Sequence, residues 1–431
     1  MRVLAKFDRE KIWSGGNSVR YLVVRVSDPG DAPQGGQAAL NLALVMDAST
    51  SMEGEPLRFA IDAAQRVVSR LSDDDRLSVV SFNSNVSDHL ASERMTPDGR
   101  KRALQALGAI SAEGCTNLSA GWLRGAEHIA RQMESGHAPQ NRVIVLSDGH
   151  ANEGIVDPAA LAEHAKQLAM RGLFSSTVGI GDDYHGETLE AIAVHGGGVH
   201  HRAARPNEIV EVVSAELEDI RLTASERITI AIQHAIGVRI KSLNEFPLEH
   251  SGEISACNIG SLAAGASRTA IFSVKFPSGE AGKRCLFEVC TTWRRPGDRE
   301  VYGSEPLRVP ALFADGTENR AQTPDPALTE EVAQVWQAYI VRRIVRLNRE
   351  RRYDEAIRRL DRDIPLFAKY AQNAASGAVL VAELKRLREA ASREWSEGSR
   401  KEVEVAMHKR TSNRVDARST KPADWKDFLP N

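Results

Sequence analysis

Cysteine is scarce in this chain of 431 residues, and the four present, Cys115, Cys257, Cys285 and Cys290, include no C-x-x-C pair. A disulfide-stapled scaffold and a zinc ribbon are therefore both excluded. No run approaches the roughly 18 consecutive apolar residues that a membrane-crossing helix needs. The opening residues MRVLAKFDREKIW carry scattered charges where a secretory signal would have an apolar core. A soluble, cytoplasmic protein with no membrane contact is expected. Neither sign of charge prevails, with 56 Lys and Arg against 58 Asp and Glu and a net charge of -2. Polyanion binding is thus not a property of the chain as a whole.

What is present begins at Leu40–Ser51, LNLALVMDASTS, an apolar run that ends in an acid and three hydroxyl residues. Apolar residues without alternation, as in Leu42 to Met46, describe a strand buried on both faces of a parallel sheet. Loops at the carboxyl ends of such strands form the binding crevice, so Asp47, Ser49 and Ser51 are expected to project there together. Their oxygens suit a small hard cation. Two further stretches follow: Gly114-Cys115-Thr116-Asn117-Leu118, and Val143-Ile144-Val145-Leu146-Ser147-Asp148-Gly149, a second apolar run ending in an acid. Any one of these acids or hydroxyls could simply cap the next helix.

The three stretches in this order resemble the metal-ion-dependent adhesion site of the von Willebrand factor type A family. The resemblance implies that Ser49, Ser51 and Thr116 coordinate Mg²⁺ (or Mn²⁺ or Ca²⁺), with Asp47 and Asp148 bound directly or through water. It also implies an open position for an acidic group of a partner. Met52, Glu53, Asn117, His150, Asn152 and Glu153 are expected on the rim that selects this partner. Cys115 adjoins the second loop, but a thiol suits a hard cation poorly and a bystander role is expected.

Strand and helix patterns alternate from Ala39 to about Arg221, which predicts an α/β fold, a doubly wound and mostly parallel sheet over residues 36–221. Residues 222–316 switch to short strand-like runs separated by Gly, Pro and Ser turns, an antiparallel β-sandwich. The strand-like pieces in residues 1–35 are cut off from the α/β region by the linker Ser27–Gly36 and cannot be stable alone. They are expected to join the sandwich, so that the α/β domain is inserted in it. Residues 317–410 carry helical periodicity, as in Val332, Val335, Trp336, Tyr339, Ile340 and Ile344. Residues 411–431 read as a flexible tail with Trp425 and Phe428.

Three other stretches have the beginnings of a motif without its remaining parts. Gly179-Ile180-Gly181-Asp182-Asp183-Tyr184 begins like a dinucleotide fingerprint but has Tyr184 in place of the third glycine. His195-Gly196-Gly197-Gly198 is similar to an esterase oxyanion loop, yet no G-x-S-x-G nucleophile accompanies it. His195, His200 and His201 are therefore read as solvated histidines beside an edge strand. The basic run Arg342, Arg343, Arg346, Arg349, Arg351 and Arg352 is read as a helical face balanced by nearby acids, and nucleic acid is not the expected partner.

The expected function is a metal-dependent protein-interaction module, not an enzyme, whose partner protein supplies an Asp or Glu. An adaptor role beside an AAA+ ATPase, chaperone or conflict system encoded in the same operon is the alternative. A metal-dependent hydrolase or nucleic-acid factor is the weaker one.

Overall fold

Three strands open the chain: β1 (Arg2–Phe7), β2 (Lys11–Trp13) and β3 (Val19–Ser27). The computed structural model describes residues 1–30, 38–134, 140–148, 151–181, 186–298 and 300–412. Next come β4 (Leu40–Asp47), α1 (Glu55–Arg70), β5 (Arg76–Phe82), β6 (Val86–Arg94), α2 (Pro97–Gly108), α3 (Leu118–Glu134) and β7 (Gln140–Ser147). They are followed by α4 (Pro158–Met170), β8 (Leu173–Ile180), α5 (Gly186–His195), β9 (Gly197–Ala203) and α6 (Glu208–Leu222). A second group of strands comprises β10 (Thr223–Gln233), β11 (Arg239–Ser242), β12 (Leu248–Ser251), β13 (Ile254–Asn258), β14 (Leu262–Ala263), β15 (Ser267–Lys275), β16 (Arg284–Arg294), β17 (Tyr302–Gly303) and β18 (Leu307–Ala314). The last elements are α7 (Gly316–Ala321), α8 (Pro326–Arg349), α9 (Tyr353–Ala371), α10 (Gly377–Ala390) and α11 (Glu397–Ser412). The chain divides into two compact units, one of residues 32–226 and 294–300, the other of residues 1–31, 227–293 and 301–431.

In the first of these units the sheet order is β6-β5-β4-β7-β8-β9, parallel throughout except for β6 against β5. All eight residues of β4 are buried, as the unbroken apolar run requires. One face packs α1, α2 and α6 through residues such as Leu57, Val67, Leu107, Ile209 and Leu217. The other packs α3, α4 and α5 through Leu118, Trp122, Leu161, Leu189 and Ile192. This is the doubly wound arrangement. Helix α3 lies close against the sheet because Gly121 and Gly125 face it: a Cβ on either would fall 2.4 Å from Phe82 or Val45.

The other unit holds two sheets, β1-β3-β15-β11 and β12-β13-β10-β16-β18-β2. The first strands of the chain do enter this assembly, since β3 pairs antiparallel with β15 over its whole length and brings Leu22 opposite Phe272. One pairing departs from the antiparallel pattern, with the short β2 joining the edge of β18 in parallel. Phe7, Phe276 and Phe287 meet in the core with ring centroids 5.2 to 5.8 Å apart. Helix α8 starts at an Asp325 cap, with Pro326 in the first turn where its missing N–H costs nothing. Leu328, Val332 and Val335 of α8, with Tyr370 of α9, cover Tyr21, Val23 and Ile271 of the β3/β15 face. Before α8 comes the short α7, whose N-terminal amides at Thr317 and Glu318 donate to the Asp315 carboxylate.

Five of the six arginines of the basic run form ion pairs. Arg342 and Arg346 both meet Glu245, Arg349 meets Glu404, Arg351 meets Glu394, and Arg352 meets Glu350 and Glu355. Among the described residues no helix is long and apolar enough to cross a membrane. The tail residues Trp425 and Phe428 lie outside the described residues.

Candidate metal centre

Strands β4 and β7 are parallel neighbours with Met46 opposite Leu146, and β5 lies on the other side of β4 with Phe82 opposite Asp47. All three strands therefore end at one level. After β4 the chain passes to β5 on one side, while β7 on the other side is reached later from α3. The gap between β4 and β7 is thus a topological switch point, the place where open α/β sheets leave a crevice. Asp47 ends β4 and Asp148 directly follows β7, which brings the two acids to the same rim.

The loop after β4 turns tightly. Asp47 Oδ1 accepts from the Ser49 amide at 2.9 Å, an Asx turn that aims the residues after it. Thr50–Met52 then form one turn of 3₁₀ helix, which sets the Ser49 and Ser51 hydroxyls 3.0 Å apart. This loop is tied to the second by backbone bonds: Thr50 N to Gly114 O at 3.1 Å and Glu113 N to Ala48 O at 2.8 Å. The second loop is clasped to the third from both sides. Thr116 N donates to Asn152 Oδ1 at 3.0 Å, while the amides of Asn152 and Glu153 donate to Thr116 O at 3.1 and 3.3 Å. Gly154 lets the chain pass so closely, because a Cβ there would lie 2.3 Å from Asn117 Oδ1 in a backbone conformation of φ +76°.

Asp47 is fully buried and Ser49, Thr116 and Asp148 nearly so, whereas Ser51 is exposed. Burial pushes the Asp47 carboxyl up to about 6, and the charge of Asp148 adds to this, against the hydrogen bonds from Ser147 and Ser49. The Ser147 hydroxyl donates to Asp47 Oδ2 at 2.5 Å. No basic side chain among the described residues forms an ion pair with Asp47. Buried acid and hydroxyl oxygens without a cationic side chain on Asp47 form a donor set of the hard, oxygen-only kind that Mg²⁺ and Mn²⁺ take. Their chemistry fits such an ion.

The three loops of the sequence motif are thus brought to one sheet end. The rim is narrower than expected. Met52 is fully buried in the hydrophobic core beneath α1, because the 3₁₀ turn rotates its side chain inward, and it cannot contact a partner. The Asn152 side-chain oxygen is engaged by Thr116, and Asn117 Oδ1 caps α3 by accepting from Ala120 N at 3.1 Å and Ser119 Oγ at 3.2 Å. Asn152 and Asn117 therefore hold the loops in place. Glu53 is exposed and Glu153 half-buried, and His150 lies outside the described residues. Ser147 was missed by the sequence reading. Its signal was a hydroxyl at the end of an otherwise apolar buried strand, which must find a polar partner.

The side motifs do not build a second centre. His195 bonds the Ala191 carbonyl, His200 the Thr177 hydroxyl and His201 the Glu216 carboxylate, so the three rings point to separate partners. Tyr184 lies outside the described residues.

A family model described as the von Willebrand factor type A domain matches residues 41–215. An uncharacterized protein of Synechocystis sp. is 24% identical over 279 residues, covering 62% of this chain and 65% of its own length. Human inter-alpha-trypsin inhibitor heavy chain H3 is 30% identical over 179 residues, which are 40% of this chain and 20% of the heavy chain. The chain thus spans less than two thirds of either relative. Among solved structures, von Willebrand factor type A from Catenulispora acidiphila superposes with a TM-score of 0.72 at 17% identity, covering 96% of each chain. The ArnB paralog VWA2 from Sulfolobus acidocaldarius gives 0.59 at 16% identity, covering 95% of this chain and 98% of its own. These two structures share the fold.

Proposed function

With residues 41–215 a von Willebrand factor type A domain, a family of protein-interaction modules, we propose that this one captures an acidic group of a partner protein through a bound Mg²⁺ and performs no catalysis. The observation that carries the reading is the Ser49/Ser51 hydroxyl pair, 3.0 Å apart and backed by the buried Asp47, at the switch point of the sheet. Ser49, Ser51 and Thr116 would hold the ion, and Asp47 and Asp148 would balance its charge directly or through water. When bound, the ion supplies a Lewis-acidic position that accepts a carboxylate oxygen.

The chain's own groups prepare that position. The Ser147 hydroxyl donates a hydrogen bond to Asp47 Oδ2, which holds the carboxylate in its orientation toward the loop. The clasp between Thr116 and Asn152 fixes the second loop before any ligand arrives, so little ordering is left to oppose binding. Glu53 and Glu153, beside the site, disfavour an isolated anion and favour an acid flanked by basic residues.

The test is capture of protein from an extract of the source cells by the whole chain, with Mg²⁺ and with EDTA, alongside the Asp47→Ala and Thr116→Ala variants. Circular dichroism checks that both variants are folded. Capture that requires Mg²⁺ and is lost in both variants is expected. Capture that survives EDTA and both substitutions refutes the reading.

A further inference from the structure

A different cluster brings two imidazoles onto one hydroxyl at the end of the larger sheet of the sandwich. In the β12/β13 hairpin His250 lies directly opposite Ser255. Strand β10 runs along the other side of β13, and His234, just beyond its end, donates its amide to the Glu253 carbonyl at 2.9 Å. Ser255 Oγ consequently sits 3.0 Å from His234 Nε2 and 2.9 Å from His250 Nδ1. Ser255 is 1% exposed and His234 8%, while His250 is exposed and forms the solvent side of the cluster.

The tautomer of His234 follows from its second contact. Its Nδ1 lies 3.1 Å from the Ala235 carbonyl oxygen, which can only accept, so Nδ1 carries the proton and Nε2 turns a lone pair toward Ser255. Metal-ligating histidines are held in this way, one nitrogen on the ion and the other donating to a backbone carbonyl. In the ion-free chain the Ser255 hydroxyl donates to His234 Nε2 and accepts from His250 Nδ1–H. Moving the His250 proton to its Nε2 frees the second lone pair.

The spacing also fits. With metal–nitrogen bonds of about 2.0 to 2.1 Å, donors at right angles lie about 2.9 Å apart and tetrahedral donors about 3.4 Å apart. The contacts of 3.0 and 2.9 Å are hydrogen bonds in the ion-free chain; they already hold the hydroxyl and the two nitrogens near the right-angle separation, and an ion would sit to one side of both lines, with each ring turning slightly toward it. Imidazole donors select Co²⁺, Ni²⁺ or Zn²⁺ over Mg²⁺, which prefers oxygen alone. Glu249 and Glu253, exposed on the same hairpin, add the negative charge that a dication needs nearby. Among the described residues no three His, Cys, Asp or Glu side chains gather around one point, so a hydroxyl and water must supply the remaining positions.

We propose that His234, His250 and Ser255 form a second metal site, for a transition-metal dication, independent of the oxygen-lined site at the end of β4. The test is Co²⁺ titration of the whole chain in saturating Mg²⁺, read by visible absorption and equilibrium dialysis. One equivalent of Co²⁺ is expected to bind, without the thiolate charge-transfer band that cysteine ligation would give. His250→Ala, at an exposed position, is expected to weaken it about tenfold or more, and His234→Gln likewise, while Asp47→Ala leaves it unchanged. No Co²⁺ bound at sub-millimolar concentration, binding that survives His250→Ala undiminished, or binding lost in Asp47→Ala would each overturn the proposal.

Discussion

Replacing Gly121 by alanine sets two effects of opposite sign against each other. In a helix interior alanine is favoured over glycine by about 1 kcal/mol. At this position, however, the added Cβ would stand 2.4, 2.5 and 2.7 Å from Cδ1, Cγ and Cβ of Phe82. Two of these three atoms lie at the root of the side chain, and Phe82 is itself buried in β5, so neither can swing aside cheaply. Overpacking of this kind costs about 1 to 3 kcal/mol. The clash is expected to win, leaving a net loss of up to about 2 kcal/mol and a fall of several degrees in unfolding temperature, at about 2 to 4 °C per kcal/mol. Gly108→Ala is the matched control, because that glycine ends α2 with open space around it. It is expected to gain about 0.4 to 1 kcal/mol through the unfolded chain. Thermal unfolding followed by circular dichroism compares the two. If Gly121→Ala raises the midpoint as Gly108→Ala does, the close approach of α3 to the sheet is not what sets the sign. The displacement also reaches the candidate site, since the Phe82 carbonyl accepts from Ala48 N at 2.8 Å.

Asn152→Ala removes the acceptor of the Thr116 amide and is expected to weaken Mg²⁺ binding severalfold with the fold intact, as isothermal titration would show; unchanged affinity would mean the clasp is incidental. A pH effect is expected from Asp88, whose carboxyl is held down to about 2 chiefly by its hydrogen bond from Arg124, with His128 adding to it. A group lowered on folding contributes stability that is complete above its unfolded value near 4 and is lost as pH falls through 2. The gap in urea midpoint between wild type and Asp88→Asn is therefore expected to narrow as pH falls below 5 and to close towards pH 2. A gap that stays open at pH 2 contradicts this account.

The parts of the fold that could be read ahead are those where one physical signal is unopposed. Strands β4 and β7 announce themselves because burial on both faces leaves no room for alternation, and the acid at each end stands out against that background. That the opening strands join the later β-region was accessible only by elimination, since a strand pair too small to persist alone had to find partners elsewhere; that β3 pairs with β15 was not. Other features are hidden for identifiable reasons. Helix α2 has only Ala103 and Leu107 as buried apolar side chains, so its periodicity is faint although Thr96 and Pro97 mark its start. Met52 sits among polar neighbours, and only the 3₁₀ turn decides that it faces inward. Nothing in the spacing of His234, His250 and Ser255 joins them; the register of a three-strand edge does.

The pairing of Leu22 with Phe272 also governs the order in which the molecule can be made. On the ribosome the opening strands β1 and β3 emerge first, paired only with each other, and must wait for β15 while the entire nested α/β module is synthesised. Throughout that interval Val23, Val24 and Val26 are available to any sticky neighbour. Newborn chains stalled before β15 should therefore be bound by holding chaperones, and those released after it should not.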